Sequence, residues 1–165
     1  MWKLAKASDP DHKVEYALVG SIAAACSLLR KNKNSTPHVL LVAMDAASAS
    51  DKDLGTLAAA IVDSHCFWMC AWGPACNVVD DAVDTDIVMR EIYGLLLGRS
   101  VITTWHDKET LRSAVWSACH TAMPSDEWNI ETWTRRVLVI GGIVSEESLV
   151  HDIETMDDEI SETHG

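Results

Sequence analysis

Residues 66–76 read CFWMCAWGPAC, which sets Cys66, Cys70 and Cys76 around a Trp-Gly-Pro turn. Thiols in such a stretch suit a metal knot, an activated nucleophile, or plain apolar packing beside a binding surface. The metal reading fails on spacing. Cys66 and Cys70 read as same-face residues of one strand, ~13 Å apart at ~3.3 Å per residue, whereas zinc holds its thiolates at about 2.3 Å. No Cys-x-x-Cys pair occurs, so neither a metal nor another cofactor is expected.

The nucleophile reading has more to support it. Pro74 suits the first turn of a helix, which would put Cys76 near that helix's N-terminus, where the dipole lowers a thiol pKa. Cys70 is the second candidate thiol. His106 can serve as the base, with Asp45 or Asp81 to orient it. Against this, no local signature such as GxSxG is present, and cysteine more often packs as a small apolar residue. His106 directly precedes Asp107, a candidate helix cap, so a neutral histidine that only ties down its loop is the plainer alternative.

These residues need elements to position them. Four apolar, strand-length runs stand out: HVLLVAM (38–44), CFWMCAW (66–72), SVITTW (100–105) and RVLVIGG (136–142). Their near-continuous apolarity predicts strands covered on both faces, as in a parallel sheet. Between them run helical stripes: Leu54, Leu57, Ala58, Ile61 and Val62 behind a Ser50/Asp53 capping box, then Leu111, Ala114, Val115, Ala118, Cys119, Ala122 and Met123 behind Asp107. Residues 75–97 read as helix broken near Asp84–Asp86. Ser145 is placed to cap a last helix to about Ile160, with Leu149, Ile153, Met156 and Ile160 on its apolar face. Val14, Leu18, Ile22, Cys26 and Leu29 fit one further stripe, so an amphipathic first helix is expected over about 13–31.

Strand-helix alternation predicts one α/β domain over residues 1–165: a small doubly wound sheet, flavodoxin-like or Rossmann-like, of about four parallel strands. In such sheets ligands sit at the carboxyl ends of the strands. Those ends are Asp45, Trp72-Gly73-Pro74, Trp105-His106-Asp107 and Gly141-Gly142. A cleft walled by Trp72 and Trp105, with Gly73, Pro74, His106 and Asp45 beside it, is the expected binding surface.

Composition narrows the partners. The net charge is −12, and the eight acids after Ser145, with no Lys or Arg among them, carry −8 of it. Phosphate backbones would repel such a chain, so nucleic acid is disfavoured and a basic protein partner for the acidic segment, about 145–165, is the natural alternative. Glu146 and Glu147 likewise oppose a phosphate loop at Gly141-Gly142. Asp80, Asp81, Asp84 and Asp86 lack the spacing of a calcium loop. The apolar run from Tyr16 to Leu29 is too short to span a bilayer, and the acids Asp9, Asp11 and Glu15 before it are wrong for an export signal. Five cysteines in a chain this size fit a reducing cytosol.

CAWGPACNVVDDAVD and VITTWHDKETLRSAVW together resemble a family of small bacterial proteins of uncharacterised function, which share a Cys-x-Trp-Gly-Pro turn and a Thr-Thr-Trp-His strand end. The resemblance covers about residues 38–142. It implies no activity and marks Cys70, Trp72, Gly73, Pro74, Trp105 and His106 for attention. Two functions follow as expectations: an interaction protein binding through the Trp-lined cleft, or a small cysteine-dependent hydrolase or transferase using Cys76 or Cys70 with His106.

Overall fold

The computed structural model describes residues 1–6, 13–31, 36–95 and 101–158. Six strands form one sheet in the order β1-β2-β6-β3-β4-β5. They are β1 (Lys3–Lys6), β2 (Lys13–Val19), β3 (His38–Ala43), β4 (Cys66–Trp72), β5 (Ile102–His106) and β6 (Thr134–Ile140). All neighbours pair in parallel except β1, which runs antiparallel to β2. The sheet is thus wider than four strands. Counted along the chain, its parallel strands stand first, fifth, second, third, fourth, which is neither the flavodoxin-like nor the Rossmann-like order.

Helices α1 (Ile22–Lys31), α2 (Asp51–Val62) and α3 (Asn77–Ile92) cover one face, here the front. Helices α4 (Leu111–His120) and α5 (Glu146–Glu154) cover the back. The split follows from connection handedness. The chain steps outward from β3 to β5 over the front, then returns from β5 to β6, and a right-handed return must cross the opposite face. Strand β3 lies between β6 and β4 with every residue buried, which accounts for its unbroken apolar run.

Three elements differ from the sequence reading. Residues 13–19 are strand, not the first half of a helix; Val14, Tyr16 and Leu18 pack on the back while Ala17 and Val19 pack on the front. Helix α3 runs unbroken through Asp84–Asp86, because Asp86 accepts from Arg90 Nε one turn on, at 2.6 Å, and Arg90 also reaches Asp63 at 2.7 Å. Helix α4 is capped by Thr110, whose Oγ1 accepts from Ser113 N, and not by Asp107. Ser50 and Ser145 cap α2 and α5 through Asp53 N and Ser148 N. Helix α5 ends at Glu154, short of Ile160, which lies outside the described residues. Its Leu149 and Ile153, with Met156 beyond, are buried on the back.

A bulge where β4 pairs with β3 changes the cysteine geometry. His38 pairs with Cys66 but Val39 pairs with Trp68, so Phe67 is the extra residue. Phe67 and Trp68 both turn to the back, and the alternation is reset. Cys66 therefore packs on the front and Cys70 on the back, rather than sharing a face.

At the amino ends of the central strands lies a buried polar chain. Arg136, 6% exposed, donates from Nε to Glu15 Oε2 at 2.8 Å, and its Nη1 lies 3.3 Å from His38 Nδ1. The Thr36 carbonyl is 3.4 Å from the same Nδ1, and His38 Nε2 faces Ser64 Oγ at 3.3 Å. Ser64 then donates to the Ile61 carbonyl at 2.7 Å. Burial, with Arg136 beside it, pushes the His38 pKa down to about 3. The unfolded chain, with an ordinary histidine, takes up a proton first, so this contribution to stability is complete above about pH 6.5 and falls as pH drops toward 3. Urea unfolding is expected to show about 2 kcal/mol of this loss between pH 7 and 5. A His38→Gln protein, though less stable throughout, should lack that increment; equal pH slopes in the two proteins would contradict the assignment.

Candidate functional site

Where the chain leaves β4 it turns to the front helix α3, and where it leaves β5 it turns to the back helix α4. Such divergence of neighbouring strands is where open α/β sheets commonly hold their ligands. The residues there are the Trp72-Gly73-Pro74 turn, Cys76, and Trp105-His106-Asp107.

Backbone contacts shape the turn. Met44 N donates to Trp72 O and Ala46 N to Pro74 O, both at 3.0 Å, which lays the turn along the chain leaving β3. Gly73 has φ +115°, and a Cβ there would stand 2.3 Å from Met44 O. Pro74 precedes the helix instead of opening it: Ala75 takes φ +54°, and α3 starts at Asn77 behind Cys76.

The register of β4 on β5 decides which side chains meet. Trp72 pairs with His106, and Ala71 with Trp105. Trp72 packs against the back-face core and Ala71 lies in the front-face core, so Trp72 and Trp105 stand on opposite faces and share no wall. Trp72 donates its Nε1–H to Glu109 O at 2.9 Å, which fixes the indole over the start of α4. His106 lies on this same side. Its Nε2 is 3.4 Å from Thr104 Oγ1, which also takes the Trp68 Nε1–H at 3.4 Å, and its Nδ1 has Glu109 Oε2 3.2 Å away. Trp105, by contrast, is 55% exposed.

The two candidate thiols are both buried, Cys76 completely. Burial raises the Cys76 pKa despite its place before α3 and a hydrogen bond with the His106 backbone. Cys70 is pushed up to about 11, again by burial, against a smaller opposing effect of Thr104. Asp45 is exposed and accepts from Ala47 N at 3.0 Å, its own local turn. No hydrogen bond or ion pair joins Asp45 to His106, so thiol, imidazole and this carboxylate do not form a relay. Asp81 is likewise exposed on α3.

The other acids are dispersed among separate tasks. Asp84 accepts from Thr103 Oγ1 at 2.6 Å, Asp86 pairs with Arg90, and Asp80 is buried with a pKa raised by that burial. Among the described residues, no group of three or more His, Cys, Asp or Glu is placed to hold a metal ion. Gly141 and Gly142, at φ +78° and +72°, lead into α5, whose Glu146 is taken by Lys3 and Tyr16.

The ridge of Arg112, Trp116 and His120 on α4 faces the end of α5. Arg112 donates to Thr155 O, and His120 Nε2 lies 2.8 Å from Asp157 Oδ1. Sequence reasoning also missed the Trp2–Glu15–Arg136 cluster, since its members lie on separate strands or before β1 and show no local motif.

The architecture defines a three-layer α/β protein whose helices cross on both faces of a mostly parallel sheet. The chain belongs to the family described as a domain of unknown function (DUF7684), which matches residues 21–156 and so takes in Cys70, Trp72, Cys76, Trp105 and His106. No curated protein matches the sequence. Among the described residues, no helix is long and apolar enough to cross a membrane.

Two outcomes are expected at this site. Gly73→Ala should cost ~3 kcal/mol or more, since Met44 O is backbone and cannot swing away, whereas Gly142→Ala, with open space around it, should cost only the ~1–2 kcal/mol of a left-handed residue. Equal costs in urea unfolding would contradict the close approach. A disulfide reagent at pH 7 should leave Cys70 and Cys76 unmodified until denaturant is added, and fast labelling of either in the folded protein would restore the nucleophile reading.

Proposed function

We propose that this chain is an interaction module of the bacterial cytosol that binds an extended, basic segment of another protein along the open edge of β5. The observation that carries the reading is Trp105, a large indole 55% exposed at the end of a strand with no outer neighbour among the described residues. An unpaired strand offers its N–H and C=O groups to an added strand. The opposite edge, β1, carries Lys3 and Lys6, a common guard against such pairing; β5 has no Lys and no Pro.

Charge points to a basic occupant. Thr103 anchors Asp84 beside the edge, Asp81 is exposed on the same helix, and Asp107 follows the strand. Asp81, Asp84, Val88 and Met89 line a groove of about 420 Å³ along α3. A Lys or Arg of the added strand can stack on Trp105 with the carboxylates beside it, while an apolar neighbour meets Val88 and Met89. The acidic tail beyond residue 158 lies outside the described residues, and its role toward a basic partner is part of this proposal. Buried thiols favour binding over turnover, and five unbridged cysteines fit a reducing compartment.

Selection from a displayed random-peptide library tests the reading. The recovered peptides should be rich in Lys or Arg, and hydrogen exchange should show β5 amides protected on binding. Trp105→Ala should weaken binding by about 30-fold or more while changing stability by under ~0.5 kcal/mol. Acidic or helical ligands, or undiminished binding by Trp105→Ala, would overturn it.

A further inference from the structure

Helix α3 is apolar on its outer side as well as its inner one. Val79, Val83 and Ile87 are its buried residues that pack on the front of the sheet. Val88 and Ile92 are four residues apart, as are Met89 and Tyr93, so they form two adjoining ridges on the side turned away from that core. Past the helix end comes Leu95, its backbone N–H held by Arg90 O at 2.8 Å. All five side chains are 45–69% exposed. We infer that this face is a dimer interface, at which α3 packs against α3 of a second copy of the chain.

The area fits such a pair. Five side chains of this size at that exposure present roughly 300–500 Å² of apolar surface, about the largest patch a monomer ordinarily leaves in water. Two such faces bury roughly 600–1,000 Å² between them, and the polar residues around the rim bring the total to the ~1,200 Å² low end of specific interfaces. That is the size of a reversible dimer, with a Kd on the order of 10–100 µM.

Charge selects a second copy as the occupant. A two-fold axis sets each residue near its own counterpart, so only an uncharged centre can lie on it. Here the centre is uncharged: Arg90 turns to Asp63 and Asp86, and Glu91 stands on the flank. Of the net −12, −8 follows Ser145, and α5, which opens that segment, lies on the back of the sheet while α3 lies on the front. An anionic membrane surface, by contrast, would repel the acids of α3. Val88 and Met89 also line the groove proposed for a basic segment, so a second copy and that segment compete for them.

The test is sedimentation equilibrium of the full chain from about 5 to about 500 µM, a range that brackets the expected Kd. A monomer–dimer equilibrium is expected, tightening about threefold or more between ~50 and ~500 mM NaCl as salt screens the like charges. A basic segment bound at β5 should weaken over the same range, so the two readings fail separately. Ile92→Glu, an exposed substitution whose urea unfolding should match the parent, should weaken the dimer at least about tenfold, and Tyr93→Ala should weaken it in the same direction. Met123→Glu, at an exposed apolar residue on another part of the surface, should leave it unchanged. A monomer throughout the range would hand this face to some other protein and overturn the inference. So would a dimer that salt weakens, undiminished association of Ile92→Glu, or equal loss in Met123→Glu.

Discussion

A guanidinium buried between sheet and helix has to be compensated, and much of this structure follows from how Arg136 is. An isolated charge at that depth costs several kcal/mol, so each of its donors demands a fixed acceptor. Glu15 supplies a carboxylate from β2 and the His38 ring stands beside it from β3, on either side of β6, while Trp2 covers the guanidinium from before β1. His38 passes the constraint through Ser64 to the end of α2. A slip of any of these strands by one residue would turn its polar member to the apolar back face, so the chain fixes register as well as satisfying charge.

At the other end of the strands, several polar groups are held by neighbours in a similar way. Trp72 is held by Glu109, His106 sits between Thr104 and Glu109, and Asp45 closes its own turn. Cys70 and Cys76 are packed as apolar residues would be. Trp105 at the β5 edge is, by contrast, a largely exposed indole two residues from Thr103, which holds the Asp84 carboxylate.

Much of the fold was legible because apolar runs and caps are local signals. The runs at 38–44, 66–72, 100–105 and 136–142 hold β3 to β6, and Ser50 and Ser145 cap their helices through the backbone N–H groups expected of them. Residues 13–19 misled because Val14, Leu18 and Ile22 satisfy a helical spacing while Val14, Tyr16 and Leu18 satisfy strand alternation equally well. Only pairing with β6 decides between them, and that information lies more than a hundred residues away. The candidate site failed to be legible for a related reason. The bulge at Phe67 and the register of β4 on β5 set which side chains share a face, and neither leaves a mark in composition. Hence the residues at the strand ends were found, but Trp72 and Trp105, expected to share a wall, stand on opposite faces.

The central claim is that the Arg136 charge is held by its neighbours and not by water, and a double-mutant cycle on Glu15 and Arg136 tests it most directly. Glu15→Gln alone leaves the guanidinium buried without its counter-ion and should be clearly destabilising; adding Arg136→Met should return part of that loss. The account expects a coupling of at least ~1 kcal/mol, with the double variant more stable than the sum of the single changes allows. Additive effects within about 0.3 kcal/mol would show that the two side chains are independently solvated and would contradict it.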